Sequence, residues 1–252
     1  MHAPGFRFCG RKMHRRGTRD LDRFDLGKHT RAISTGSADA QYWFNYGLNW
    51  CFGFNHEEGV KCFRKALEFD PNCVMAHWGI AYASGPFYNL PWRHFSKEEA
   101  DKYTSLSYEH LDQAKTLIPV ITEFEADVIN ATTKRFQKPY GVSGNEFDKW
   151  DDDYADSFRD VYKKYPEDID VMALFAEAMM TRTPWRLWNV KTGQPAENSD
   201  VVESINVLEK AMSISDTPHP AILHLYIHAT EMSNTPEDAL EAADILGTLC
   251  PD

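Results

Sequence analysis

One spacing recurs along the chain and constrains its fold more than any other feature. Residues at i, i+4 and i+7, with a proline at i+12, fall at Gly59, Phe63, Ala66 and Pro71. The same intervals recur at Ser107, Leu111, Ala114 and Pro119, at Tyr154, Phe158, Val161 and Pro166, and at Ala239, Ala243, Leu246 and Pro251. A fifth copy, Ser204, Leu208 and Ala211, lacks the proline. Positions i, i+4 and i+7 share one face of a helix, and a proline just beyond it suits the first turn of the next helix. Between these copies lie further helix candidates at 73–85, 121–136, 167–182 and 219–232. The spacing therefore predicts five helix pairs between about 40 and 252. Strand signals are scarce: no run alternates apolar and polar residues far enough, and no Asn-Gly hairpin turn occurs. The expected fold class is all-α, an α-solenoid of about five helix–turn–helix repeats with long inserted loops.

The first pair also carries Trp43, Tyr46, Gly47 and Trp50 ahead of Gly59, Phe63, Ala66 and Pro71. This pattern resembles the tetratricopeptide repeat (TPR), a helix–turn–helix unit. The wording is closer still to a family of larger microbial TPR-domain proteins with His-rich repeats. The matching stretches are Phe54-Asn55-His56 with Cys62-Phe63-Arg64, Trp78-Gly79-Ile80-Ala81, Gly85-Pro86 with Asn89, and His224 through Glu231. The resemblance covers about 26–252 and implies a stacked array with a concave groove. By that likeness the groove positions are Phe44, Leu48 and Cys51, then Trp78, Tyr82 and Gly85, then Ala126, Asn130 and Thr133. Ala173, Glu177 and Met180 follow, and His224, His228 and Glu231 close the series. The family's chains continue past the last proline into another His-rich unit, whereas this sequence stops at Asp252. It reads either as a fragment ending at a repeat boundary or as a chain whose fifth unit is terminal. The resemblance implies no settled reaction.

Charge narrows the partners. The chain holds 27 basic and 38 acidic residues, a net of -11. Residues 1–19 carry Arg7, Arg11, Lys12, Arg15, Arg16 and Arg19 and no acid, so the remainder is more acidic still. Such a body repels phosphate backbones, and nucleic acid is not an expected partner. Residues 1–25 read as a basic flexible tail and 26–252 as the solenoid. No apolar core follows the tail as in a secretory signal, and nowhere is there an apolar run long enough for a membrane span. The five cysteines form no CxxC pair and read as reduced thiols in a cytoplasmic protein, with organelle import through the Arg-rich tail as the other reading.

Three connections are longer than a plain repeat allows, at about 86–97, 137–148 and 183–200. Long loops in a compact fold tend to be functional or disordered. The first and third each contain Pro-Trp-Arg, at Pro91-Trp92-Arg93 and Pro184-Trp185-Arg186. Two roles are open to these residues. The tryptophans either anchor the loops or, with Asn89, overhang the groove and offer Arg93 and Arg186 to an anion.

The segment from His219 to Glu231 is chemically pointed. His224 and His228 stand at i and i+4, the helical spacing that lets two imidazoles grip one metal, and Glu231 lies a turn further on. Ile222, Leu225, Tyr226 and Ala229 are expected on the other face. The set lacks the adjacent Glu of the metalloprotease motif and needs a fourth ligand from elsewhere, with Glu177 a candidate as ligand or general base. His56 is expected to cap a helix, and Cys51 is either a groove thiol or a small core residue. No nucleophile elbow, P-loop or dinucleotide fingerprint occurs.

Two functions follow. The first is a TPR-type scaffold that binds a protein, peptide or small ligand in its groove through Trp78, Tyr82, Asn89, Trp92, Asn130, Glu177, Trp185 and Arg186. The alternative is a metal-dependent enzyme in which His224, His228 and Glu231 hold a divalent transition metal, Zn, Cu or Fe.

Overall fold

A computed structural model describes residues 24–251 of the chain; the basic stretch at 1–19 lies outside the described residues. The fold is all-α. Among the described residues ten α-helices pair in chain order: α1 (Ala38–Phe52) with α2 (His56–Phe69), α3 (Val74–Ser84) with α4 (Lys97–Thr116), and α5 (Glu123–Thr132) with α6 (Asn145–Lys164). α7 (Ile169–Arg182) pairs with α8 (Val201–Ile214), and α9 (Pro220–Thr230) with α10 (Leu240–Leu249). No helix among the described residues is long and apolar enough to cross a membrane.

Local chemistry sets the helix starts. Ser37 accepts the Ala40 N–H ahead of α1, and Asp168 accepts the Val171 N–H ahead of α7. Ser96 with Glu99 and Thr122 with Glu125 form reciprocal capping boxes at α4 and α5. Glycine allows the close approach inside the first three helices. A Cβ on Gly47 or Gly79 would sit 2.8 or 2.7 Å from the ring of Phe63, so one phenylalanine fills the seam between α1, α2 and α3.

Each helix packs on the next, and the first helices of successive pairs also meet: α1 with α3, α3 with α5, and α7 with α9. The stack curves until α9 touches α1. The inner wall is therefore closed on itself and filled with side chains. Between Cys51, Phe52, Tyr82, Glu177 and Leu225 it leaves about 10 Å³, room for one water molecule. The larger clefts lie outside it: about 520 Å³ between α8, α9 and α10, and about 730 Å³ between the 86–97 and 137–148 loops.

A non-helical strap, residues 24–37, ties the array together. Phe24 exchanges two hydrogen bonds with Tyr46 Oη, His29 C=O accepts from Asn49, and Ser34 donates its N–H and hydroxyl to Glu125. Arg31 reaches Asp168 and Asp170 at 2.7 and 3.1 Å. Cys250 Sγ lies 3.3 Å from Leu26 O, so the strap also meets the end of α10.

The only strands among the described residues form a short antiparallel hairpin, β1 (Trp188–Asn189) with β2 (Gln194–Pro195), inside the 183–200 insert. Gly193, at φ +67°, makes its turn possible. Two-residue strands are too short to leave the alternating pattern by which strands are read.

Candidate metal centre

Helix α9 is positioned by its first residues. The His219 side chain accepts the Ile222 N–H, and Pro220 occupies the tolerated first turn. Both faces of the helix are buried. Ala221 and Leu225 border the small inner cavity, while Ile222 and Tyr226 line the cleft toward α8 and α10. The apolar residues thus divide between two faces instead of sharing one, because an inner helix has neighbours on both sides.

His224 and His228 project from the inner face into an aromatic recess. The ring of Phe54 stands 4.3 Å from His224 and lies parallel to His228 at 5.2 Å; Tyr88 comes within 5.2 Å of His228. Phe54 holds a left-handed backbone, φ 57°, rare for an aromatic residue and retained only where contacts enforce it.

The outer nitrogens of the two rings fix their tautomers. His224 Nδ1 is 2.6 Å from the carbonyl oxygen of Phe52, and His228 Nδ1 is 2.9 Å from Glu231 Oε1. Both partners can only accept, so both Nδ1 atoms carry the hydrogen. The Nε2 atoms of the neutral rings are then bare lone pairs, and they face each other at 3.2 Å. Two lone pairs at that distance repel unless a proton or a cation lies between them. Two nitrogens each about 2.05 Å from one tetrahedral ion would be about 3.3 Å apart. Imidazoles that bind a metal commonly donate their other N–H to a carbonyl or carboxylate, as these do. Burial pushes His224 below its ordinary value, opposed by the Phe52 carbonyl and reinforced by His228. That favours the neutral, ligating form. Glu231 orients His228 and is engaged on its outer nitrogen, so it supports the pair instead of standing as a third ligand.

Two other histidine clusters fail the same test. His29 Nε2 and His219 Nε2 approach Asp170 Oδ1 at 3.0 and 3.1 Å, and the three groups could surround an ion. But His219 Nδ1 accepts the Ile222 N–H, so its Nε2 bears the hydrogen and donates to Asp170. Arg31 occupies the other carboxylate oxygen. Burial alone would raise the Asp170 carboxyl, but the hydrogen bonds and charges of His219 and His29 hold it well below the usual range. Arg31 and His219 thus engage Asp170 and lock strap to wall, while the buried His29 Nε2, 3.0 Å from the carboxylate, lacks a well-aligned hydrogen bond. In the other, His77 Nδ1 and His110 Nδ1 meet at 2.9 Å, while His77 Nε2 faces Pro71 O. A neutral His110 can donate there, and nothing is left over.

No family model matches the chain. No curated protein matches its sequence.

The structure separates the other residues singled out in the sequence. Trp78 and Tyr82 lie on the inner wall, buried and stacked at 5.1 Å, with the Trp78 indole donating to Thr132 Oγ1. Asn130 is exposed; from α5 it is Phe124 and Val128 that line the inner wall. Glu177 is buried, 3.3 Å from Arg135 and bonded by Thr181, so its carboxylate is already engaged. Trp92 is buried against Phe147 at 4.1 Å and anchors its loop. Trp185 does the reverse: it is 40% exposed and donates to Asn89 Oδ1, with Arg186 exposed beside it. His56 does not cap α2. Its ring is buried 4.0 Å from Phe87, both nitrogens lack partners, and burial with the Arg135 charge pushes it down to about 3. Cys51 is a core residue whose thiol burial drives well above its ordinary value.

A buried charge cluster had no sequence signal. Arg135 follows α5, is fully buried, donates to Pro86 O and lies 3.7 Å over the Tyr154 ring. Nearby Asp151 is buried too, with Oδ1 unpartnered, and burial pushes it up to about 8 against the lowering charge of Arg135. An inward arginine is set by long-range packing, which no local spacing encodes.

Proposed function

We propose that this chain is a cytoplasmic helical-repeat protein of tetratricopeptide type that binds a divalent transition metal, Zn, Cu or Fe, through His224 and His228. One observation carries the reading: two Nε2 lone pairs 3.2 Å apart, each ring held by an acceptor on its other nitrogen. The repeat type is supported by five helix pairs in series, with glycines at the seam of the first three helices, and the compartment by Cys51, Cys62 and Cys73 as free thiols. Two protein ligands leave coordination positions to water or a small ligand, and a metal so held supplies Lewis-acid chemistry. His224 and His228 hold it, Glu231 and the Phe52 carbonyl orient them, and Phe54 and Tyr88 shield it from bulk water.

This reading replaces an open peptide groove with a small-ligand site. The inner wall, filled by Trp78, Tyr82 and their neighbours, leaves no room for a peptide. Elemental analysis of untagged protein tests it, followed by titration of Zn²⁺ and Cu²⁺ into the chelator-treated chain. One ion per chain is expected, lost in both His224→Ala and His228→Ala with the helical circular dichroism intact. Folded wild type that takes up neither ion ends the proposal.

A further inference from the structure

The two Pro-Trp-Arg inserts dock on each other. Arg93 donates to Pro184 O at 3.1 Å, and its guanidinium lies 5.6 Å from the Trp185 ring centroid. His94 meets the same ring at 4.8 Å, and the Trp185 indole donates to Asn89. The loops thus interlock: the arginine of the first copy rests on the proline and tryptophan of the second.

The charge at this junction is unbalanced. Arg31, Arg135, Arg159 and Arg182 each pair with a carboxylate. Among the described residues, Arg64, Arg93 and Arg186 have none within ion-pair distance, though Asp148 acts on Arg93 from further away. Burial and the neighbouring Arg186 charge push Arg93 below its ordinary value. Both arginines are exposed on a chain of net charge -11, where carboxylate partners are plentiful. Trp185 adopts φ 61°, a strained conformation for a bulky side chain, and stays 40% exposed although its twin Trp92 is buried. Packing explains Trp92. It does not explain an exposed, strained tryptophan beside an arginine that has no carboxylate partner.

We propose that these loops form an oxyanion site, in which Arg93 and Arg186 hold the carboxylate or phosphate group of a small ligand against the face of Trp185. Guanidinium suits this role because its planar fork matches two oxygens and it stacks on aromatic faces. His94 adds a third donor at the rim. The site stands on the loops alone and needs no metal. It nonetheless adjoins the histidine pair: Tyr88, next to Asn89 on the same loop, packs 5.2 Å from His228. The fully buried Tyr88 phenol has no hydrogen-bond partner.

The test uses the full chain, freed of metal by chelation, so that its outcome is separate from that of the metal reading. Inorganic phosphate and acetate are titrated separately while tryptophan fluorescence and binding heat are followed. Saturable binding of at least one is expected, with the fluorescence change abolished in Trp185→Phe. The double variant R93Q/R186Q should weaken binding by about tenfold or more, the loss expected for charge-assisted hydrogen bonds. Both arginines are exposed, so the variant should fold, which circular dichroism checks. His224→Ala should bind the anion as wild type does. Tighter phosphate assigns a phosphoryl group, tighter acetate a carboxylate. No saturable binding of either ion, or binding unchanged in R93Q/R186Q, overturns the proposal.

Discussion

Replacing Asp151 by Asn should make the protein more stable near neutral pH, and the gain should grow as pH rises. Asp151 lies on α6 with 7% of its surface exposed, beside the buried Arg135–Glu177 pair. Burial raises its carboxyl from 3.8 to about 8, Arg135 opposes that shift, and Glu177 adds to it. A folded-state value above the unfolded one means that the native state holds a proton the unfolded chain releases. Any stabilisation from this group is present below pH 4 and is lost as pH climbs toward 8. At 1.36 kcal/mol per unit, the cost at pH 7 is on the order of 4 kcal/mol, an upper bound because water entry and relaxation reduce it. Asparagine keeps the shape and never ionises. Urea unfolding of wild type and Asp151→Asn, followed by circular dichroism from pH 5 to 8.5, should show the variant gaining steadily over the wild type. A variant less stable than wild type at pH 8 would mean that Asp151 is ionised and paired with Arg135. A difference that stays flat with pH would refute the burial argument.

Three further predictions follow from the geometry. Glu231→Gln retains an acceptor for His228 Nδ1 but removes its charge, and should weaken metal binding about 10- to 100-fold, read by competition with a chromophoric chelator. Gly79→Ala places a methyl group 2.7 Å from the Phe63 ring and should cost about 1–3 kcal/mol by urea unfolding. Gly247→Ala on α10 meets no atom within 4 Å and should be neutral or gain up to about 1 kcal/mol.

The sequence carries the helix pairs because the second helix of each repeats a local demand: residues at i, i+4 and i+7 on one face and, in four of the five, a proline five residues further on. It carries the rotation of each inner helix less well. Asn130 was expected inward by counting from Pro119 and is exposed. A 3-10 turn over Ile118–Val120 intervenes, and α5 then starts afresh at the Thr122–Glu125 capping box. The tighter turn advances the chain by a different angle per residue, so Phe124 and Val128 face inward where Ala126 and Asn130 had been placed. The strap was illegible for another reason. Arg31 finds Asp168 across 137 residues of chain, and no period near Arg31 announces a partner so far away.

The histidines show where spacing stops being informative and the hydrogen inventory takes over. The i, i+4 spacing at 224 and 228 marks the helix on which two Nε2 atoms meet at 3.2 Å, while Glu231 engages the outer nitrogen of His228. What distinguishes this pair from His29–His219 and His77–His110 lies on the far side of each ring. At His219 a backbone N–H faces the outer nitrogen and commits the inner one to donating; at His224 and His228 a carbonyl and a carboxylate do the opposite. Those outer partners come from Phe52 at the end of α1 and from Glu231 just past α9, and the first is available only because the array curves until its last pair meets its first. The curvature thereby does chemical work. A straighter stack would carry the same two imidazoles and leave the tautomer of His224 unfixed, and with it the reason for its lone pair to face inward.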